Sequence, residues 1–117
     1  MVEDEPLVRE VAVRSLRRQG YKLLVAANGS DALQIAKTYS DGEIAVMVTD
    51  LVMPLMGGRE LANQITAAHP NIKIIFTSGY SDDETIQQEM SSNDVTFLKK
   101  PFAPAELARI VRTTLDK

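Results

Sequence analysis

The sequence predicts an α/β fold: a doubly wound five-stranded parallel sheet with flanking helices. Three observations lead to it. First, five strand-like segments alternate with five helix-like segments along the 117 residues, the pattern of βαβ crossovers with helices on both faces of a sheet. Second, the run Ile44-Ala45-Val46-Met47-Val48-Thr49 carries no charge and is rich in β-branched types. Such a run reads as a strand buried on both faces. Third, four strand-like segments run directly into chemically reactive residues: Val2 into Glu3-Asp4-Glu5, 44–49 into Asp50, 72–76 into Thr77-Ser78-Gly79, and 96–98 into Lys99-Lys100-Pro101. In open α/β sheets the C-terminal ends of the strands are where ligands bind.

The elements follow in order. Pro6 suits the first turn of a helix, with three acids just ahead of it. Leu7, Val8, Val11, Ala12 and Leu16 recur at helical spacing, Arg17 and Arg18 fall in the last turn, and Gly20 supplies a stop. Residues 21–25 read as a short strand. Asn28-Gly29-Ser30 is a turn able to cap a second helix from Asp31 to about Tyr39. Asp41-Gly42 breaks it, and the 44–49 strand follows. After a loop at 54–58, a third helix spans about 59–68, with Leu61, Ala62 and Ile65 inward, and stops before Pro70. Residues 72–76 form the fourth strand. Ser81-Asp82 opens a fourth helix whose only large apolar groups are Ile86 and Met90. A fifth strand covers 95–98. Pro104 opens the last helix, with Leu107, Ile110, Val111 and Leu115 inward. The first strand has only Met1 and Val2 ahead of the acids, too short for a central strand. The expectation is therefore a truncated first strand, in a single domain over 1–117 that is a fragment of a longer protein.

Composition narrows the function. The chain is 44% hydrophobic and 25% charged, ordinary for one globular domain. A net charge of −3 argues against nucleic acid as the direct partner. There is no cysteine, so no disulfide or thiolate metal site can form, which suits a cytoplasmic protein. No apolar run is long enough for a membrane helix.

The rim residues together make a charge argument. Glu3, Asp4 and Asp50 bring three negative charges and Lys100 one positive charge. One divalent cation neutralises the remainder. Oxygen donors without His or Cys select Mg²⁺ or a similar hard ion. A carboxylate beside such an ion, an ammonium and a hydroxyl is arranged for phosphoryl transfer, because carboxylates form acyl phosphates and the cations neutralise phosphoryl oxygens.

At this point the residues resemble a known family. Val2-Glu3-Asp4-Glu5-Pro6, Thr49-Asp50-Leu51-Val52-Met53-Pro54 with Gly57-Gly58, Phe76-Thr77-Ser78-Gly79-Tyr80, and Leu98-Lys99-Lys100-Pro101-Phe102 resemble, in order, the motifs of the receiver domain of two-component response regulators. The resemblance implies a flavodoxin-like sheet of strand order 2-1-3-4-5. It implies that Asp50 is the phosphoacceptor, charged from a phosphohistidine on a sensor histidine kinase or a histidine phosphotransfer protein. It implies Mg²⁺ held by Asp4, Asp50 and the backbone carbonyl of Val52, with Glu3 acting through water. Thr77 would bind a phosphoryl oxygen, Lys100 would pair with the phosphate, and Phe97 would be the switch residue that turns inward with Thr77. Glu3 stands where the family more often has Asp. The stretches 58–62 and 77–81 resemble receivers attached to hybrid sensor kinases. The resemblance allows a homodimer and implies no direct contact with nucleic acid or membrane.

Two other functions compete. An aspartate-nucleophile phosphatase would need a second Asp two residues after the nucleophile, where this chain has Val52. A phosphorylation-independent interaction module would be expected to lack Asp50, Thr77 or Lys100, and all three are present. The expectation is thus a self-phosphorylating switch with no external substrate. His69, the only histidine, reads as a surface residue and not a phosphodonor. Met47, Met53 and Met56 read as packing.

Overall fold

A computed structural model describes residues 1–39, 42, 44–51, 56–78, 95–100 and 102–116. Its core is a parallel sheet of three strands in the order β1 (Val46–Asp50), β2 (Lys73–Ser78), β3 (Val95–Lys99). Four described helices surround it: α1 (Pro6–Arg18), α2 (Gly29–Thr38), α3 (Gly58–Ala68) and α4 (Pro104–Leu115). The expected helix around 81–90 lies outside the described residues, so α4 is the fifth helix of the sequence pattern.

The first two expected strands contract to single bridges. Val2 bridges Ala26 on one side and Thr49 on the other, both parallel. Its N–H donates to the Val48 carbonyl at 2.7 Å, its carbonyl accepts from Asp50 N–H at 3.1 Å, and Glu3 N–H donates to the Ala26 carbonyl at 3.2 Å. The lateral order is therefore 26, 2, β1, β2, β3, which is the expected 2-1-3-4-5 with its first two members reduced to one rung. Residues 21–25 are not a strand, contrary to expectation. In the lateral order they lie beside Met1 and Val2 and not beside β1, and that segment meets them through the Met1 nitrogen, which donates to the Leu24 carbonyl at 2.9 Å, and the Met1 carbonyl, which accepts from Ala26 N–H at 2.9 Å. A cavity of about 250 Å³, lined by Leu23, Val25, Val46 and Val48 among others, lies alongside.

Alternating side chains feed two apolar clusters. Met47, Ile74 and Phe76 pack with Ala32 and Ala36 of α2 and with Leu61, Ala62 and Ile65 of α3. Val48, Ile75 and Leu98 pack with Ala12 and Leu16 of α1 and with Leu107 and Val111 of α4. Two of the described helices thus cover each face, the doubly wound arrangement. The buried stripe of α1 is narrower than its spacing implied. Ala12 and Leu16 are buried, but Leu7 is 78% exposed. Five apolar positions sweep more of the helix circumference than one sheet face can cover.

The helix ends follow local chemistry. Pro6 opens α1, and Gly20 beyond its C-terminus has φ +88°, a conformation that favours glycine. Asn28 caps α2, its Oδ1 accepting from Asp31 N–H at 2.8 Å. Glu106 reaches back to Ala103 N–H at 3.4 Å to start α4. His69 sits at the C-terminal cap of α3, half-buried, with Nε2 3.3 Å from the Ala36 carbonyl. It ties α3 to α2 rather than lying free on the surface. Among the described residues no helix is long and apolar enough to cross a membrane.

Candidate phosphoacceptor site

Strand register builds the site. Asp50 pairs with Thr77, and Thr77 with Leu98. Lys100 follows Leu98 by two residues and so returns to the same sheet face. On the other side Val2 pairs with Thr49, which places Glu3 beside Asp50. Glu3, Asp50, Thr77 and Lys100 therefore share one face at one rim, although they lie up to 97 residues apart in sequence. Glu3 and Thr77 are fully buried, and Asp50 is 7% exposed.

Lys100 joins the carboxylates. Its Nζ donates to Asp50 Oδ2 at 2.9 Å and lies 2.7 Å from Glu3 Oε1. The second contact is an ion pair whose direction falls short of a hydrogen bond, so Oε1 keeps acceptor capacity. Glu3 Oε2 accepts from Glu5 N–H at 3.1 Å. Burial raises the pKa of the Glu3 carboxyl, opposed by Lys100 and by the Glu5 N–H. Burial alone would lower that of Lys100, but Glu3 and Asp50 beside it outweigh the effect and raise it. The two carboxylates thus favour the charged lysine, while Lys100 opposes the burial that raises the Glu3 pKa.

Glu3, Asp4 and Asp50 each offer a carboxylate oxygen, all within 4.8 Å of one another. Three hard oxygen donors that close fit a divalent cation of the Mg²⁺ type. The carbonyl of Val52, the remaining expected ligand, lies outside the described residues, as do Gly79, Tyr80 and Pro101 of the motifs. Thr77 Oγ1 is buried and has no hydrogen-bond partner among the described residues. A buried hydroxyl left unsatisfied carries a free-energy cost, and a rim that accepts an oxyanion would give it one. Phe97 is half-buried and stacks on Phe76, with ring centroids 5.7 Å apart.

The sequence pattern contained one more positioning residue whose role it did not reveal. Gly58 donates its N–H to the Leu51 carbonyl at 2.9 Å. A Cβ at that position would collide with the Asp50 carbonyl oxygen. The glycine lets the start of α3 press against the backbone that carries Asp50. Gly57-Gly58 was visible as a motif, but the collision is a three-dimensional fact that spacing cannot show.

Fold and rim together define a flavodoxin-like domain with an acidic cluster, a lysine and a hydroxyl at the C-terminal edge of its strands. The response regulator receiver domain family matches residues 1–112, and the chain belongs to that family. It is 40% identical over 117 residues to the sensor kinase CckA of Brucella abortus, covering all of this chain but 12% of that protein. It is similar to the crystal structure of the receiver domain of the hybrid histidine kinase CckA, at 35% identity and TM-score 0.80, covering 97% of this chain and 94% of that one. A CheY-like receiver from Methanospirillum hungatei matches at TM-score 0.82 and 21% identity over 98% of this chain and 90% of its own, which supports the fold.

Proposed function

We propose that the chain is a phosphoacceptor switch in which Asp50 receives a phosphoryl group from a phosphohistidine on a histidine kinase or a histidine phosphotransfer protein. The observation that carries this reading is the Lys100–Asp50 contact at 2.9 Å beside the buried Thr77 hydroxyl, which has no hydrogen-bond partner among the described residues. In the transfer, an Asp50 carboxylate oxygen forms the new P–O bond, the P–N bond of the phosphohistidine breaks, and the departing imidazole keeps the electron pair. Lys100 stays close to the modified carboxylate and pairs with a phosphoryl oxygen. Thr77 donates its hydroxyl to another. Asp4 and Asp50, with the Val52 carbonyl and with Glu3 through water, would hold Mg²⁺, which supplies neutralisation of phosphoryl charge. The domain serves its own modification and turns over no external substrate. Its similarity to CckA supports a place in a hybrid kinase relay in the cytoplasm.

Output follows from Thr77. Drawing its hydroxyl toward a phosphoryl group moves the end of β2, and Phe97, one strand over, rests on Phe76 of the same strand. The surface of the expected 81–90 helix, β3 and α4 is therefore the one that changes. Amide hydrogen exchange with and without beryllofluoride tests this. The expected result is altered exchange in β3 and α4. Changes confined to α1 and α2 would contradict it.

A further inference from the structure

Glu3 is one methylene longer than aspartate, and the structure shows what that length does. Its main chain is fixed on both sides: the N–H donates to the Ala26 carbonyl at 3.2 Å, and its carbonyl accepts from Arg9 Nη1 at 2.8 Å. Its side chain is fully buried. From that anchored start the carboxylate extends to Lys100 Nζ at 2.7 Å, and its other oxygen is held by Glu5 N–H. An aspartate on the same backbone would end about 1.5 Å short, one carbon–carbon bond, and would not hold the ammonium. Lys100 would then be tethered by Asp50 alone of the two carboxylates.

The same two carboxylates, with Asp4, make up the acidic cluster. An ammonium and a divalent cation both draw on the negative charge of Glu3 and Asp50, and each weakens the other's hold. We propose that Glu3 is a positioning residue that fastens Lys100 over Asp50 in the resting domain and thereby sets a competition between that lysine and a divalent cation at the rim. The proposal deepens the phosphoacceptor reading and rests on it for the choice of Mg²⁺.

Magnesium titration calorimetry on the 117-residue chain, with no phosphodonor present, tests the idea apart from phosphorylation. Glu3→Asp keeps the charge and removes the reach, so Mg²⁺ should bind about fivefold more tightly or better, the low end of ordinary coupling between two sites. Glu3→Gln keeps the reach and removes the charge, so Mg²⁺ should bind more weakly. In a Lys100→Met background, which retains the apolar stem, Glu3→Asp should change affinity by less than about twofold, within the range where independent effects add. The ¹H–¹⁵N signal of the Lys100 ammonium should be visible in the wild type and weakened in Glu3→Asp, while far-UV circular dichroism stays the same. Unchanged or weaker Mg²⁺ binding in Glu3→Asp, or equal tightening with and without Lys100, overturns the proposal. Failure of Asp50 to accept phosphate in a separate labelling experiment would overturn the functional reading and leave the titration result standing.

Discussion

At the scale of single residues, the rim depends on backbone contacts as much as on charges. Gly58 shows this best. Adding one methyl group there must displace α3 or the Asp50 carbonyl, because the contact is to backbone and not to a flexible side chain. Gly58→Ala should cost about 1–3 kcal/mol, the usual range for overpacking, visible as a lower denaturant midpoint with unchanged slope. It should also disturb the Asp50 amide resonance. A variant as stable as the wild type would mean that α3 yields easily. Asp50, Thr77 and Lys100 were legible in the sequence because each follows a strand, and strand ends converge. The burial of Glu3 was not. Its charge predicts an exposed side chain, and only the pairing of Val2 with both Ala26 and Thr49 pulls it inside.

At the scale of elements, β1, β2, α3 and α4 lie close to where hydrophobic periodicity placed them, with shifts of one or two residues at their ends. Residues 21–25 do not follow their pattern. Their composition favours a strand, but a strand needs a paired neighbour, and the segment beside them in the lateral order, Met1 and Val2, meets them through Leu24 and Ala26 rather than along their length.

At the scale of the whole molecule, two apolar clusters on opposite faces of one sheet hold the strand ends in register, and the register assembles the rim. The alternating pattern of strands and helices was enough to predict this architecture, because sheet twist and crossover handedness leave few alternatives. Fold, family and rim chemistry are therefore coupled through the same few strand ends. Millimolar Mg²⁺ should raise the melting temperature of the wild type, since a cation that binds the folded rim and not the unfolded chain stabilises by mass action. Asp4→Asn should reduce the shift. No shift in the wild type would mean that the carboxylates do not form a cation site. The phosphoacceptor assignment is tested most directly by intact-mass spectrometry after incubation with acetyl phosphate and Mg²⁺. The wild type should gain a single phosphoryl group, and Asp50→Asn should gain none. Equal labelling of the two proteins, or no labelling of the wild type under conditions where Mg²⁺ is bound, would contradict the account.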